Sequence, residues 1–342
     1  MTRFRRPDRG VPRNHRSIHK HLAVGLLVAA GVLAGMCTGE AAESPKSVQV
    51  GYAAITPANL ILKEKGWLEA ELGPRGIAVN WVLVLGSNKA IEFLRGKSVD
   101  FASSSNASAF LARANGTPIK LVYWTDHRNG APILVREDSP YQSFTDLKGK
   151  KIAATPGTGP YMGLIAALQK HGLTTQDVEI VPLQHPQGRL ALAAGRVDAW
   201  AGLEPDWSIA EVENKARVLF NDPQLPSGGV IDVREEFARQ YPEITEIVLK
   251  GFERARVYSL EHPDEALKVY AEGSKLSPDV AKRSFERSDL TQPAVRTSDA
   301  EGLAVWGRLF KVIGAIPADT DIDAVARDTI DTSFNGSIAP GH

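Results

Sequence analysis

The chain has 342 residues, with 40 Lys+Arg against 40 Asp+Glu, 43% hydrophobic residues, 21 Pro and a single Cys. That length suits about two domains, and a charged fraction of 23% is that of a folded chain rather than a disordered one. One cysteine excludes a disulfide framework, one strongly apolar run excludes a polytopic membrane protein, and neutrality excludes the basic surplus of a nucleic-acid binder.

Residues 1–21 carry seven basic side chains, from Arg3 to Lys20, and the uncharged apolar run 22–36 follows them. Gly39-Glu40-Ala41-Ala42 then supplies a small-x-small site, so 1–41 reads as a secretory signal. The run of fifteen residues is short of the ~20 a membrane span needs. Cys37 follows Met36, whereas a lipid-carrying Cys follows a small residue, so cleavage after Ala41 is preferred to lipid anchoring. Removing 1–41 takes away seven basic and two acidic residues, leaving 33 against 38 and a net charge of −5. The mature chain has no Cys, hence no thiol for catalysis or metal binding.

Strands and helices then alternate. Residues 48–52 form an apolar strand, and Thr56-Pro57 offers an N-cap with Pro at the first helical position, for a helix to Gly66. A strand at 78–84 precedes a helix capped by Ser87. A strand at 99–102 and Ser103-Ser104-Ser105-Asn106 precede a helix at 107–114, and 119–124 is a fourth strand. This rhythm predicts a mostly parallel sheet covered by helices. After a strand at 131–135 the pattern restarts: strands at 150–154, 177–182, 197–200 and 217–220, helices at 161–170, 188–194 and from Pro205 to 214. A strand at 230–233 is followed by helices at 234–240, 242–260, 263–271, 277–285 and 298–313, and the tail from Pro317 is polar. Ser98-Val99-Asp100-Phe101-Ala102 and Arg196-Val197-Asp198-Ala199-Trp200 each follow a helix and a Gly, which predicts two α/β halves of similar build.

Ligands in such sheets bind beyond the C-terminal strand ends, where helix N-termini point inward. The loops there are 53–57 with Thr56, Gly86-Ser87-Asn88, 103–106 with Ser104 and Ser105, 156–160 with Thr158 and Gly159, and 202–207 with Glu204. They are rich in Gly, Ser and Thr and poor in Lys and Arg. Such loops hold anions with backbone N–H groups, hydroxyls and helix dipoles. Each loop taken singly reads equally as helix capping. Trp200 or Trp207 offers an apolar wall, core packing being the other reading and the stronger one for Trp207. Glu204 suits either a ligand ammonium or an N-cap. His185 could line the cleft, with surface placement the simpler reading. No dinucleotide fingerprint, Walker A run, H-E-x-x-H pair or nucleophile elbow is present.

Gly66-Trp67-Leu68, Gly86-Ser87-Asn88-Lys89-Ala90, Ser98-Val99-Asp100-Phe101, Asp146-Leu147-Lys148-Gly149-Lys150, Pro182-Leu183-Gln184-His185-Pro186 and Val197-Asp198-Ala199-Trp200-Ala201 occur in that order. With these motifs the chain resembles the aliphatic-sulfonate, taurine and nitrate group of ABC-transporter substrate-binding proteins, over roughly residues 47–270. The resemblance implies an α/β, bilobed periplasmic binding protein fold of type II-like build, with two lobes joined by a two-segment hinge. Lobe I would be 42–135 with 226–342, and lobe II 136–225. It implies capture of a sulfonate-like anion by Thr56, Ser87, Asn88, Ser104, Ser105, Thr158 and Gly159, with Trp200 and Glu204 beside it. It further implies a periplasmic monomer that delivers its ligand to an ABC permease and its ATPase, without enzymatic activity, cofactor, metal or nucleic acid. Two enzyme groups share this fold family, a thiamine-pathway protein with a Cys-rich motif and a Cys-dependent desulfinase, and the mature chain has no Cys for either. The first loop, Ala53-Ala54-Ile55-Thr56-Pro57, departs from the polar run of some sulfonate binders.

Overall fold

The structure, a computed structural model, describes residues 44–127 and 131–338. The expected signal segment, its expected cleavage site and Cys37 lie outside the described residues. The elements in chain order are β1 (Ser47–Tyr52), α1 (Pro57–Glu64), α2 (Trp67–Leu72), β2 (Ala78–Leu83), α3 (Ser87–Arg95), β3 (Phe101–Ser105), α4 (Asn106–Ala114), β4 (Ile119–Asp126), β5 (Ile133–Arg136) and β6 (Lys151–Ala154). They continue as α5 (Gly159–Lys170), β7 (Glu179–Pro182), α6 (His185–Ala193), β8 (Ala199–Ala201), α7 (Asp206–Val212), β9 (Ala216–Phe220) and β10 (Gly229–Arg234). Seven helices close the chain: α8 (Glu235–Gln240), α9 (Pro242–Glu261), α10 (Pro263–Ser274), α11 (Pro278–Glu286), α12 (Asp299–Val312), α13 (Ile322–Thr329) and α14 (Asn335–Ile338). Helices α2, α13 and α14 go beyond the expected elements, and α6 begins three residues before the expected 188, with Pro186 in its first turn.

Two five-stranded sheets form the two lobes, in the orders β2-β1-β3-β10-β4 and β7-β6-β8-β5-β9. The expected mostly parallel sheet is corrected to a mixed one in each lobe. β1 runs parallel to β2 and β3, and β6 parallel to β7 and β8. β10 is antiparallel to β3 and β4, and β5 antiparallel to β8 and β9. The antiparallel strand of each sheet is the first one laid down after the chain changes sheets. β5 belongs to the second sheet, so that change lies between Asp126 and Ile133, before the expected boundary near Arg136. The return lies between Phe220 and Gly229.

The Val-Asp echo has one structural job in both halves. Asp100 Oδ2 accepts the Gln49 N–H at 2.8 Å, and Asp198 Oδ2 accepts the Lys151 N–H at 2.9 Å. Each carboxylate thus ties the start of its strand to the first parallel neighbour. The inner strands are covered on both faces: β8 and nearly all of β3 are buried. α12 joins the halves, with Phe310 stacked on Phe110 of α4 at 6.0 Å and Trp306 donating its indole N–H to the Pro226 carbonyl at 3.0 Å. One apolar cluster contains Phe110 and Phe310 together with Ile133 and Ile152 of the second sheet.

Candidate ligand-binding site

A cavity of about 650 Å³ opens between the two sheets, lined from both. The first sheet contributes the segments after β1 and β2 and the end of β3, and the second those after β6, β7 and β8. Because each parallel strand turns into a helix at its C-terminal end, α3, α4, α5 and α6 all begin at this cavity, and their positive dipole ends gather there.

These helix starts pack tightly across the seam between the sheets. Gly86 is the residue before α3 and has φ 138°, a conformation open to glycine. A Cβ there would lie 3.1 Å from Asn88 Oδ1 and 3.6 Å from the His185 ring. A Cβ on Gly159, the first residue of α5, would lie 3.2 Å from Ser105. Ser108 Oγ donates to the Gly157 carbonyl at 2.9 Å, joining α4 to the loop before α5.

Ser87, Ser104, Ser105, Gly159 and Glu204 line the cavity. Ser87 does not cap α3; it is the first residue of that helix, and its Oγ accepts the Ser105 N–H at 3.0 Å. Ser105 caps α4, accepting the Ser108 N–H at 3.2 Å. Ser104 donates to Asp232 Oδ2 at 2.5 Å. The two adjacent serines are therefore structural as well as exposed to the cavity. Ser105→Ala is expected to lower stability by about 1 kcal/mol through loss of the cap. A urea midpoint equal to wild type would remove that role.

Thr56, Asn88, Thr158 and Trp200 lie outside the cavity lining. Thr56 is buried and donates to Asp126 Oδ2 at 3.2 Å; Thr158 is buried and donates to the Thr155 carbonyl at 2.7 Å. Asn88 sits in the first turn of α3 facing Gly157, whose Cβ would lie 3.5 Å from its own. Trp200 as the apolar wall is corrected. It is 0% exposed beneath α6, where a Cβ on Gly188 would come within 2.7 Å of its indole. Strand β8 has both faces covered, so its central side chain goes into the core. Trp207, in the first turn of α7, lines the cavity instead.

Glu204 also has a protein partner that local spacing does not reveal. Its Oε1 accepts from Arg287 Nη1 at 2.8 Å and its Oε2 accepts the Ser208 N–H at 3.2 Å, which satisfies the start of α7. Arg287 follows α11, lies over the Trp207 ring at 3.8 Å, donates to Ser208 Oγ at 3.1 Å and also to Glu211. Asp206, beside it, is pushed up by burial, an effect that Arg189 opposes through a 2.8 Å contact. No group of three His, Cys, Asp or Glu able to hold a metal occurs among the described residues.

The family model described as NMT1/THI5 like matches residues 58–266, more than half of the chain. The chain belongs to this family. Among curated relatives, a Bacillus subtilis (strain 168) protein named for binding aliphatic sulfonates is 31% identical over 71% of this chain and 74% of its own length. An Escherichia coli (strain K12) protein of the same name is 27% identical over 86% and 93%. Among solved structures, the alkanesulfonate-binding protein SsuA from Xanthomonas axonopodis pv. citri, bound to MOPS, has this fold at a TM-score of 0.76 and 24% identity. That match covers 82% of this chain and 98% of the other. The bilobed binding-protein fold is therefore the fold of this family member, and the relatives' names describe binding proteins rather than enzymes.

Proposed function

We propose that the protein is the extracytoplasmic solute-binding component of an ABC importer. It captures a small organic anion, an aliphatic sulfonate, between its lobes and hands it to the permease, which an ATPase drives. Among the described residues, lobe I is read as 44–126 with 229–338 and lobe II as 133–220. The protein acts as a periplasmic monomer released from its signal segment at Ala41. No helix among the described residues is long and apolar enough to cross a membrane.

The observation that carries this reading is the convergence of four helix starts on one cavity that also has apolar wall residues. Tyr52, Ile55, Leu60, Leu85 and Trp207 face the same space. An oxyanion held by N–H groups needs no buried countercharge, and the cavity's Arg287 is already engaged by Glu204 and Glu211. The volume favours a ligand with a tail over nitrate, since cavities of about 300–1,000 Å³ enclose drug-sized molecules. Capture and release then need lobe movement rather than bond chemistry.

A thermal-shift panel on the purified protein tests the proposal, with ethanesulfonate, hexanesulfonate, taurine, nitrate, sulfate and hexanoate. A ligand at a hundred times its Kd adds about 2.7 kcal/mol of stability. Stabilisation by hexanesulfonate above nitrate and hexanoate is the expected result. No shift with any sulfonate would overturn the assignment.

A further inference from the structure

The geometry assigns His185 to the ligand: this side chain presents an uncharged imidazole N–H to the head group of the bound anion. The inference rests on the solute-binding reading above and adds to it a residue outside the serine- and threonine-bearing loops.

His185 is 2% exposed, yet neither of its ring nitrogens has a hydrogen-bond partner. A buried imidazole left unpaired is a costly arrangement that folded proteins rarely keep without a use for it. The ring is placed where a use exists. It lines the cavity as the first residue of α6, at that helix's positive end. Trp200 supports it from the core side, ring edge towards ring, with centroids 6.4 Å apart. Gly86, at the start of α3, stands on the other side, where a Cβ would lie 3.6 Å from the ring. The imidazole is thus held between the core of one lobe and a helix start of the other. It shares the cavity with Ser87, Ser105 and Gly159.

The chemistry follows from the donor set. A neutral imidazole carries one N–H donor, and a sulfonate oxygen only accepts. Burial depresses the imidazole to about 4, so the ring is uncharged near neutral pH. An uncharged ring also avoids placing a cation at the positive end of α6. Arginine or lysine here would supply charge but would meet that opposing dipole. A neutral histidine supplies the hydrogen bond alone.

His185→Phe keeps a flat ring of similar size and removes both polar atoms. Calorimetry with hexanesulfonate is expected to show binding weaker by roughly tenfold or more, while the ligand-free protein melts at or above the wild-type temperature because an unpaired polar group has left the interior. His185→Gln, which keeps an N–H donor, is expected to recover part of the loss. In wild type, saturation with hexanesulfonate is expected to move the ¹⁵N resonances of the His185 ring. That measurement decides the matter if the Phe variant fails to fold. Equal affinity in His185→Phe, or unmoved ring resonances at saturation, overturns the assignment while leaving the sulfonate reading intact. Wild-type protein that binds no sulfonate removes that reading and this one together.

Discussion

Replacing Arg287 by alanine is expected to destabilise the protein by about 3–5 kcal/mol, the range for stripping one partner from a buried ion pair. Three features raise this contact above an ordinary surface pair. The Glu204 side chain has no exposed surface and that of Arg287 is 16% exposed, so neither charge is well solvated. The guanidinium is shared among Glu204, Glu211 and Ser208, and its face rests on Trp207. The contact also spans the molecule. α11 packs with α1 and α10 in one apolar cluster, whereas Glu204, Ser208 and Glu211 belong to α7 and its approach from β8. Without the arginine, the Glu204 carboxylate stays buried with the Ser208 N–H and no countercharge. The double variant Glu204→Gln with Arg287→Met is expected to recover most of the loss, because it removes both charges together. Urea denaturation of wild type, Glu204→Gln, Arg287→Met and the double variant measures the coupling, for which residues in contact give about 0.5–3 kcal/mol. Additive effects within experimental error would show that the pair contributes nothing of its own.

The second large effect concerns Asp232, on β10 between β3 and β4 of the first sheet and fully buried. Burial pushes its carboxyl up to about 7 from an ordinary 3.8, with the Ser104 hydroxyl pulling in the opposite direction. The folded protein therefore holds this proton more tightly than the unfolded chain does. Below pH 4 both states are protonated and Asp232 makes no difference. As pH rises from about 4 to about 7 the unfolded chain ionises first, and stability falls by roughly 1.4 kcal/mol per unit, about 4 kcal/mol in all. Asp232→Asn removes the titration while keeping a partner for Ser104. The variant is expected to match wild type near pH 4 and to exceed it by several kcal/mol at pH 8. Parallel stability curves across that range would show that Asp232 ionises normally in the fold.

Much of the architecture was legible because it depends on local chemistry. Apolar strand runs, Ser and Gly before helices and the repeated Val-Asp pair mark a unit built twice, and Asp100 and Asp198 make the same hydrogen bond in both copies. The loops around Ser87, Ser105 and Gly159 were readable for the same reason: a strand followed directly by a helix places its turn at the sheet's C-terminal edge. Sheet sense was not legible, because β5 and β10 enter their sheets after crossing between lobes and nothing in their own residues records the direction of entry. Thr56 and Thr158 look like cap and ligand residues from spacing, but their hydroxyls turn to Asp126 and to the Thr155 carbonyl.

The tryptophans, the histidine and the arginine mark where local information ends. Trp200 and Trp207 stand seven residues apart in one motif. One fills the core and the other faces the cavity, because a strand covered on both faces hides its side chains while the first turn of the next helix shows them. His185 reads as a loop residue until α6 is seen to begin on it and to bury it against Trp200. Arg287 lies 83 residues from Glu204, and no periodicity connects them. Pattern in the chain reports what each residue prefers near its neighbours: strand, cap or turn. Which lobe faces which, which hydroxyl is already spent and which buried nitrogen is left for a ligand depend on contacts between distant segments. Those contacts exist only once the two sheets have closed the space between them.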